Sequence, residues 1–576
     1  MSSSGASAPF SANAAVAASS SFARLRRASA RIGVSSVIEI MSAKSVCQNG
    51  GSLRIVTGVD LRIFPHRTSR GRPVNPRRGY GRPGLALAIM LGAQLMIILD
   101  ATVVNIALPH IESGLRFSST SLSWVMNGYT LTFGGLLLLG GRAGDILGRR
   151  RVFIAGITIF TLASLAGGLA TSAGMLLAAR AVQGAGGALA SPAVLALVVS
   201  GFAEGKERTR ALAIYAGVVT GGSSLGLVLG GVITEWLSWR WVLFINIPIG
   251  ILVVVLTPLF VAETPRLPGR FDLAGAITST AGVALLVYGF IRAASDGWGS
   301  RTALAAFAVA IVLLAGFLLT ETRAQQPITP LRLFADVSRS GSYAARLLLV
   351  AGMFGMFFFL TQFLQDVLGF SPLRAGVAFL PMTIMLFAVS RTVPRLLPRF
   401  GGKRLMILGM LPVIVGMAWL SRVSPATSYW TGVIEPMVLF GAGMGVVFVP
   451  LTSVSLMGVR PEDSGAASSM VNVMQQVGGS LGLAVLVAVF GTASKNALAH
   501  PVPGLSAAAF QQHVLAHGMS VAFGLAAIFD VIVLVLIAVL VRGGPRAAAP
   551  APARPVSVGA RETVRVPDIA HLPDID

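Results

Sequence analysis

The stretch GGRAGDILGRRRVF, residues 140–153, decides how this chain is laid out. Residues 131–139 before it are too apolar for a loop and residues 152–169 after it are apolar again, so 141–151 reads as a tight polar turn between two membrane spans. Arg142, Arg149, Arg150 and Arg151 crowd that turn, and the positive-inside rule puts it on the cytoplasmic face. That one assignment orients every other span. The glycines let two helix ends approach closely, and Asp145 can sit near the positive end of the following helix and pair with Arg149. Two readings of the pair stand: a lock on one conformation of a moving protein, or part of a turn that only fixes topology. Topology needs no acid inside a basic turn, which favours the lock.

Of 576 residues, 54% are hydrophobic and only 12% charged, a balance that excludes a soluble globular chain and points to a polytopic membrane protein. A formal net charge of +23 would suggest nucleic acid in a soluble protein. Here the basic residues fall between apolar spans, so they read as topology with contact to the lipid bilayer's anionic heads, and no nucleic-acid partner is expected. The lone Cys47 lies outside the apolar body, which leaves no disulfide framework, metal cluster or cysteine nucleophile.

Residues 1–84 are rich in Ser, Ala and Arg, with 13 Lys and Arg against Glu39 and Asp60, and no run there is long enough to cross a bilayer. A transit peptide fits that composition, and so does sequence translated from too early a start. The second is favoured, because the membrane body is complete without it. Either way the segment is expected to be disordered.

From Gly84 apolar stretches of about 20 residues follow one another, the length that crosses hydrocarbon as helix. Fourteen spans are expected, near 85–107, 121–141, 152–170, 174–200, 211–234, 241–261, 273–293, 302–320, 342–367, 374–397, 404–422, 427–454, 464–492 and 516–541. Loops 204–210, 264–270, 321–341 and 395–404 and the tail after Val541 then share the side of the first turn and hold most of the basic residues, so both termini are cytoplasmic. Gly-Gly-Lys-Arg at 401–404 stands roughly where a second copy of the basic turn would fall. The all-α chain divides into a first six-helix bundle (85–262), two inserted helices with a cytoplasmic linker (263–340), a second six-helix bundle (341–543) and a disordered tail (544–576).

The 140–153 turn resembles the signature between the second and third helices of the major facilitator superfamily. Five further strings, in order, are similar to its 14-helix drug:proton antiporter branch: LDATVVNIALPHI (99–111), RAVQGAGGAL (180–189), WRWVLFINIPIG (239–250), FLQDVLGFSPLRAGVAFLP (363–381) and NVMQQVGGSLG (472–482). The resemblance covers nearly all of residues 85–545. It implies a major facilitator fold, two six-helix bundles plus two inserted central helices, that exports small molecules such as drugs and antibiotics across the plasma membrane. Protons would move the other way, the proton gradient replacing any cofactor, in a chain expected to be monomeric. Two departures stand out. Leu227 occupies the place of a proline in the fifth span's glycine motif, so a kink there is less expected, and Gln475–Gln476 stand where Arg-Gln is common, so a positive charge is absent.

Ionisable groups inside apolar spans mark the candidate site, since each costs a few kcal/mol on insertion scales. Asp100, Arg180 and Asp530 are the candidates for proton coupling. A carboxyl at such depth that exchanges protons is what a proton-coupled carrier needs, although Asp100 can also be a structural group bonded to neighbouring backbone. The resemblance implies that Arg180 faces the central cavity; its rival role is snorkelling to the interface, and Gln183, one turn on, favours the cavity. Asn105 lies about 140° round the helix from Asp100, so the two do not share a face unless the helix breaks. Asn472, Gln475 and Gln476 form one polar face with Gly479 and join Asn105 and Gln183 as candidates for a substrate cavity, fastening of helices being the commoner use of such a stripe. Gly222, Gly226 and Gly230 recur every four residues, a packing face first and a hinge second, and the resemblance implies that it meets the other half of the protein.

Glycine strings such as GAGGAL lie inside apolar spans without a following Gly-Lys-Ser, and the histidines show no metal spacing, so neither an enzyme nor ATP use is expected. A carrier of one specific metabolite remains the alternative within transport, and a membrane receptor or scaffold the alternative outside it.

Overall fold

The computed structural model describes residues 82–542, apart from 204, 267–270, 324–328, 461–462 and 502. The disorder expected of the two ends, and Cys47, lie outside the described residues. Among the described residues all regular structure is helical. Fourteen long helices run in chain order: α1 Pro83–Leu115, α2 Ser123–Leu147, α3 Arg149–Gly168, α4 Ala173–Gly201, α5 Lys206–Trp236, α6 Trp241–Phe260, α7 Leu273–Asp296, α8 Arg301–Arg323, α9 Val337–Val367, α10 Pro372–Ser390, α11 Gly402–Leu420, α12 Tyr429–Leu456, α13 Ser464–Ala499 and α14 Ala507–Leu540. Thirteen are long and apolar enough to cross a membrane; α2 is the exception. Asn127 and Thr130 of α2 are buried and the helix packs between α4 and α13, so protein rather than lipid covers its polar surface.

The turn between α2 and α3 is tighter than the sequence suggests. Helix α2 runs on to Leu147, Gly148 alone breaks the path at φ 102°, and α3 begins at Arg149. A Cβ at 148 would lie 2.9 Å from the Glu263 carboxyl, so both the conformation and the space call for glycine. Gly401, at φ 77°, makes the same one-residue break before α11.

Helices α1–α6 pack largely among themselves, as do α9–α14, and the two sets meet along the seams α2–α13 and α5–α10 and where α1 touches α9. Helix α7 lies against α2 and α13, and α8 packs on α7 and turns Ile311, Val312 and Leu319 outward, as a lipid-facing helix does.

The glycine stripe on α5 faces a different neighbour from the one expected. Side chains added at Gly222, Gly226 and Gly230 would strike Leu95, Thr102 and Val103 of α1, in the same half. One step round the helix, Gly231 abuts Pro372 and Leu373 of α10, and Gly376 of α10 abuts the Leu227 carbonyl. At 100° per residue, the next stripe is the one that crosses to the second half. Helix α5 is unbroken through Leu227.

A side chain at Gly376 should therefore push this seam apart. Overpacking of that kind costs about 1–3 kcal/mol. In Gly376→Val, a cysteine introduced at buried Thr361 in a Cys47→Ser background should react several-fold faster with a membrane-impermeant maleimide. Unchanged labelling would mean that this contact does not hold the seam shut.

Candidate functional site

Five helices of the first half converge on Asp100. From α4, Arg180 Nη1 donates to Asp100 Oδ2 at 2.5 Å and Gln183 Nε2 donates to Oδ1 at 2.6 Å; from α6, Asn246 Nδ2 donates to Oδ1 at 2.9 Å. Gln183 and Asn246 also donate to Ser164 Oγ of α3, at 2.8 and 3.3 Å. Arg180 Nε donates to the Val125 carbonyl of α2, and its guanidinium carbon stands 4.5 Å from the centre of the Tyr129 ring. Asp100 and Arg180 are each 1% exposed. Two charges out of water are tolerated when they pair and are further hydrogen-bonded, as Asp100 and Arg180 are here.

A cavity of about 1840 Å³ lies between the two halves. Its walls include Asn105, Tyr129 and Arg180 from the first half and Asn472, Gln475 and Gln476 from the second. It reaches Arg142, Asp145 and Arg149 at the basic end, the end that carries the α2–α3 turn, and its lining stops short of the opposite ends of the helices. There the halves are joined. Asn105 Nδ2 donates to Thr361 Oγ1 at 3.0 Å and to the Phe357 carbonyl at 3.2 Å, and Gln365 Nε2 donates to the Ile106 carbonyl at 2.9 Å, all between α1 and α9. Along α2–α13 the hydroxyls of Thr130 and Ser480 share a hydrogen bond and Gln476 lies over Gly134.

One sequence expectation is corrected here. Gln183 does not line the cavity: it is drawn in with Asp100, its hydrogen-bond partner, behind Arg180, which does. The 140° offset sends Asn105 to the opposite side, toward α9. Asp530 is fully buried on α14, close to Gly352 of α9, and among the described residues neither carboxylate oxygen has a hydrogen-bond partner.

The charge missing from Gln475 comes from another helix. Arg346 of α9, which the sequence reading passed over, donates from Nη1 to Gln475 Oε1 at 3.3 Å and from Nη2 to Thr452 Oγ1 of α12. The signal was present, since an arginine inside the 342–367 span carries the same insertion cost as Arg180. Asn246 was also legible as a lone amide in the apolar FINIPIG run. Its contacts with Asp100 and Ser164 are not, because no local pattern records contacts across 146 and 82 residues.

At the basic end Arg149 Nη2 donates to Asp145 Oδ1 at 3.0 Å and Nη1 donates to the Ala196 carbonyl of α4. Both side chains of the pair are part-exposed, so it contributes about 0–1 kcal/mol. The acid at the positive end of α3 is Glu263, not Asp145. Arg150 N–H donates to Glu263 Oε1 at 3.0 Å, Arg149 N–H donates to Thr264 Oγ1, and Arg150 and Arg151 stand 3.9 Å from the same carboxylate. Across the molecule Arg332, in the link before α9, holds Asp463 at the start of α13 through two bonds of 2.8 and 2.6 Å. Those bonds hold the Asp463 carboxyl below its ordinary range.

Residues 90–483 match the family model of the Major Facilitator Superfamily. The chain is 40% identical over 487 residues to the puromycin resistance protein of Streptomyces alboniger, an alignment covering 84% of this chain and 94% of that one. It is 41% identical to the cephamycin export protein of Amycolatopsis lactamdurans, covering 71% and 86%, and 35% identical to the tetracenomycin C resistance and export protein of Streptomyces glaucescens, covering 72% and 77%. In fold it is similar to a bacterial homologue of the human lysosomal transporter Spinster in an inward-facing, occupied conformation, with a TM-score of 0.58 at 16% identity over 81% of this chain and 99% of that one. With a helical body of two packed sets about a cavity, a family match over residues 90–483 and relatives 35–41% identical over most of their own length, the chain belongs to the major facilitator superfamily.

Proposed function

We propose that this protein exports hydrophobic or amphipathic small molecules, antibiotics among them, across the plasma membrane in exchange for protons. The observation that carries this reading is the cavity: about 1840 Å³, between two packed halves and reaching the basic end. It is lined mainly by apolar side chains, with amides and hydroxyls among them and charged groups such as Arg180 and, at the basic end, Arg142, Asp145 and Arg149. A large apolar chamber with sparse polar groups suits many ligands rather than one. The names of the relatives, puromycin resistance and cephamycin export, support antibiotics as cargo.

By the positive-inside rule the basic end is cytoplasmic, which puts both termini inside and makes this conformation inward-facing. Cargo enters from the cytoplasm or inner leaflet. The halves then rock about the α2–α13 and α5–α10 seams to open the opposite end. The Asp145–Arg149 pair at the cavity mouth is a weak lock, suited to opening and closing in each cycle. Asp530 is the proton-loading group, because its charge has no partner among the described residues, and the Asp100–Arg180 pair couples the cavity wall to α1. The proton gradient is the energy source, no cofactor or catalytic step is needed, and one chain suffices.

Everted vesicles from cells lacking their own efflux pumps provide the test. With an imposed proton gradient, chain-containing vesicles should concentrate several unrelated cationic and neutral dyes, and a protonophore should abolish this. Movement of a single compound would show a dedicated metabolite carrier, and no flux under any gradient a receptor or scaffold.

A further inference from the structure

Three arginines are buried among the described residues, and they differ in what balances them. Arg180 has the Asp100 carboxylate. Arg339, in the first turn of α9, donates to the Leu333 and Met457 carbonyls at the basic end. Arg346 lies about 10 Å further along α9 at 1.5 Å per residue, is 3% exposed, and among the described residues no acidic side chain pairs with it. Its hydrogen-bond partners are the Gln475 and Thr452 side chains, its guanidinium carbon stands 5.3 Å from the centre of the Phe448 ring, and its Nε has no partner among the described residues. A buried guanidinium without a counter-charge is costly, and one held by neutral groups alone is open to an anion.

Phe448 and Gln475 are both part of the cavity wall, as are Phe354 and Met444 beside them. We infer that Arg346, reached past Gln475 and Phe448, is an anion subsite on the second-half wall of the cavity, and that the cargo it accepts carries a carboxylate or similar oxyanion on an apolar body. Gln475 occupies one fork of the guanidinium while the site is empty. An arriving oxyanion takes that fork, the aromatic and methionine side chains cover the apolar part, and the ligand supplies the charge the protein lacks. This inference rests on the export reading for its cargo but not for its chemistry.

The test uses the full chain in lipid nanodiscs and two dyes with one xanthene body: rhodamine 110, which bears a free carboxylate, and rhodamine 123, its methyl ester. Fluorescence polarisation gives an affinity for each. Arg346→Gln should weaken rhodamine 110 binding roughly tenfold or more, a loss expected of a charge-assisted hydrogen bond, and leave rhodamine 123 within about twofold. Gln475→Glu, which keeps Arg346 in place but gives it an internal carboxylate, should do the same, and Arg346→Lys should retain most of the binding. Equal losses for both dyes, unchanged rhodamine 110 binding in Arg346→Gln, or no binding of rhodamine 110 by the parent would overturn the subsite. Efflux of rhodamine 123 from vesicles is read separately: a parent chain that shows the expected binding pattern but exports neither dye supports the subsite and counts against the export reading.

Discussion

Asp530→Asn should abolish efflux driven by a proton gradient while leaving the protein inserted and substrate binding within about twofold. The argument is one of charge balance. Asp530 is fully buried between α14 and α9, and neither oxygen has a partner among the described residues. Gly352 of α9, beside the Ala526 carbonyl of α14, lies next to one carboxylate oxygen and offers it no side-chain donor. Burying an unpaired charge costs several kcal/mol. A cycle that loads a proton onto this carboxyl in one orientation and removes it in the other therefore alters the free-energy difference between orientations by that order, enough to drive the halves past one another. Asparagine keeps the shape and cannot exchange the proton. Substrate-induced proton release from the purified protein, measured with a pH-sensitive dye, should fall to background in the variant, while dye binding and thermal melting stay near the parent's. Proton release at the parent's level would remove Asp530 from the coupling mechanism.

How far the sequence alone carries can be judged from particular helices. Runs of about 20 apolar residues mark a span because hydrocarbon demands internal hydrogen bonding and an apolar surface. Hence the helices facing lipid on one side are legible, and α2, covered by protein, is legible from the apolar run 131–139 together with the basic turn that closes it. Helix ends were less legible. Helix α1 extends to Leu115 and α14 begins at Ala507, beyond the apolar limits near 107 and 516, because a helix continues into the aqueous layer wherever its backbone bonds are made and packing permits. At the α2–α3 turn polar composition suggested a loop, and yet the residues stay helical up to a single glycine.

For the site, cost was legible and partnership was not. That Asp100, Arg180 and Asp530 are expensive inside a membrane follows from their residue types and positions. Which of them are neutralised depends on contacts between residues 80 or more apart, and the same holds for Glu263, which caps α3 from the far end of α6. The glycine stripe shows the limit most clearly: a spacing of four residues identifies a packing face, but rotation about the helix axis decides whether that face meets α1 or α10, and nothing within α5 itself fixes that rotation.

Asp100→Asn should be the most destabilising substitution in the first half. It leaves Arg180 charged, 1% exposed and without a counterion, a change that costs about 3–5 kcal/mol. Thermal melting in detergent should fall by several degrees, and efflux should be lost. Arg180→Gln strands the carboxylate instead and should cost a similar amount, with Gln183 and Asn246 still donating to it. The double variant Asp100→Asn with Arg180→Gln separates structure from mechanism. Removing both charges also removes the desolvation penalty, so melting should recover most of what either single change loses. Efflux should not recover, because Arg180 is the member of the pair that reaches the cavity and Asp100 is its link to α1. A double variant that transports like the parent would reduce the pair to scaffolding, and a single Asp100→Asn variant as stable as the parent would mean that Arg180 finds another counterion.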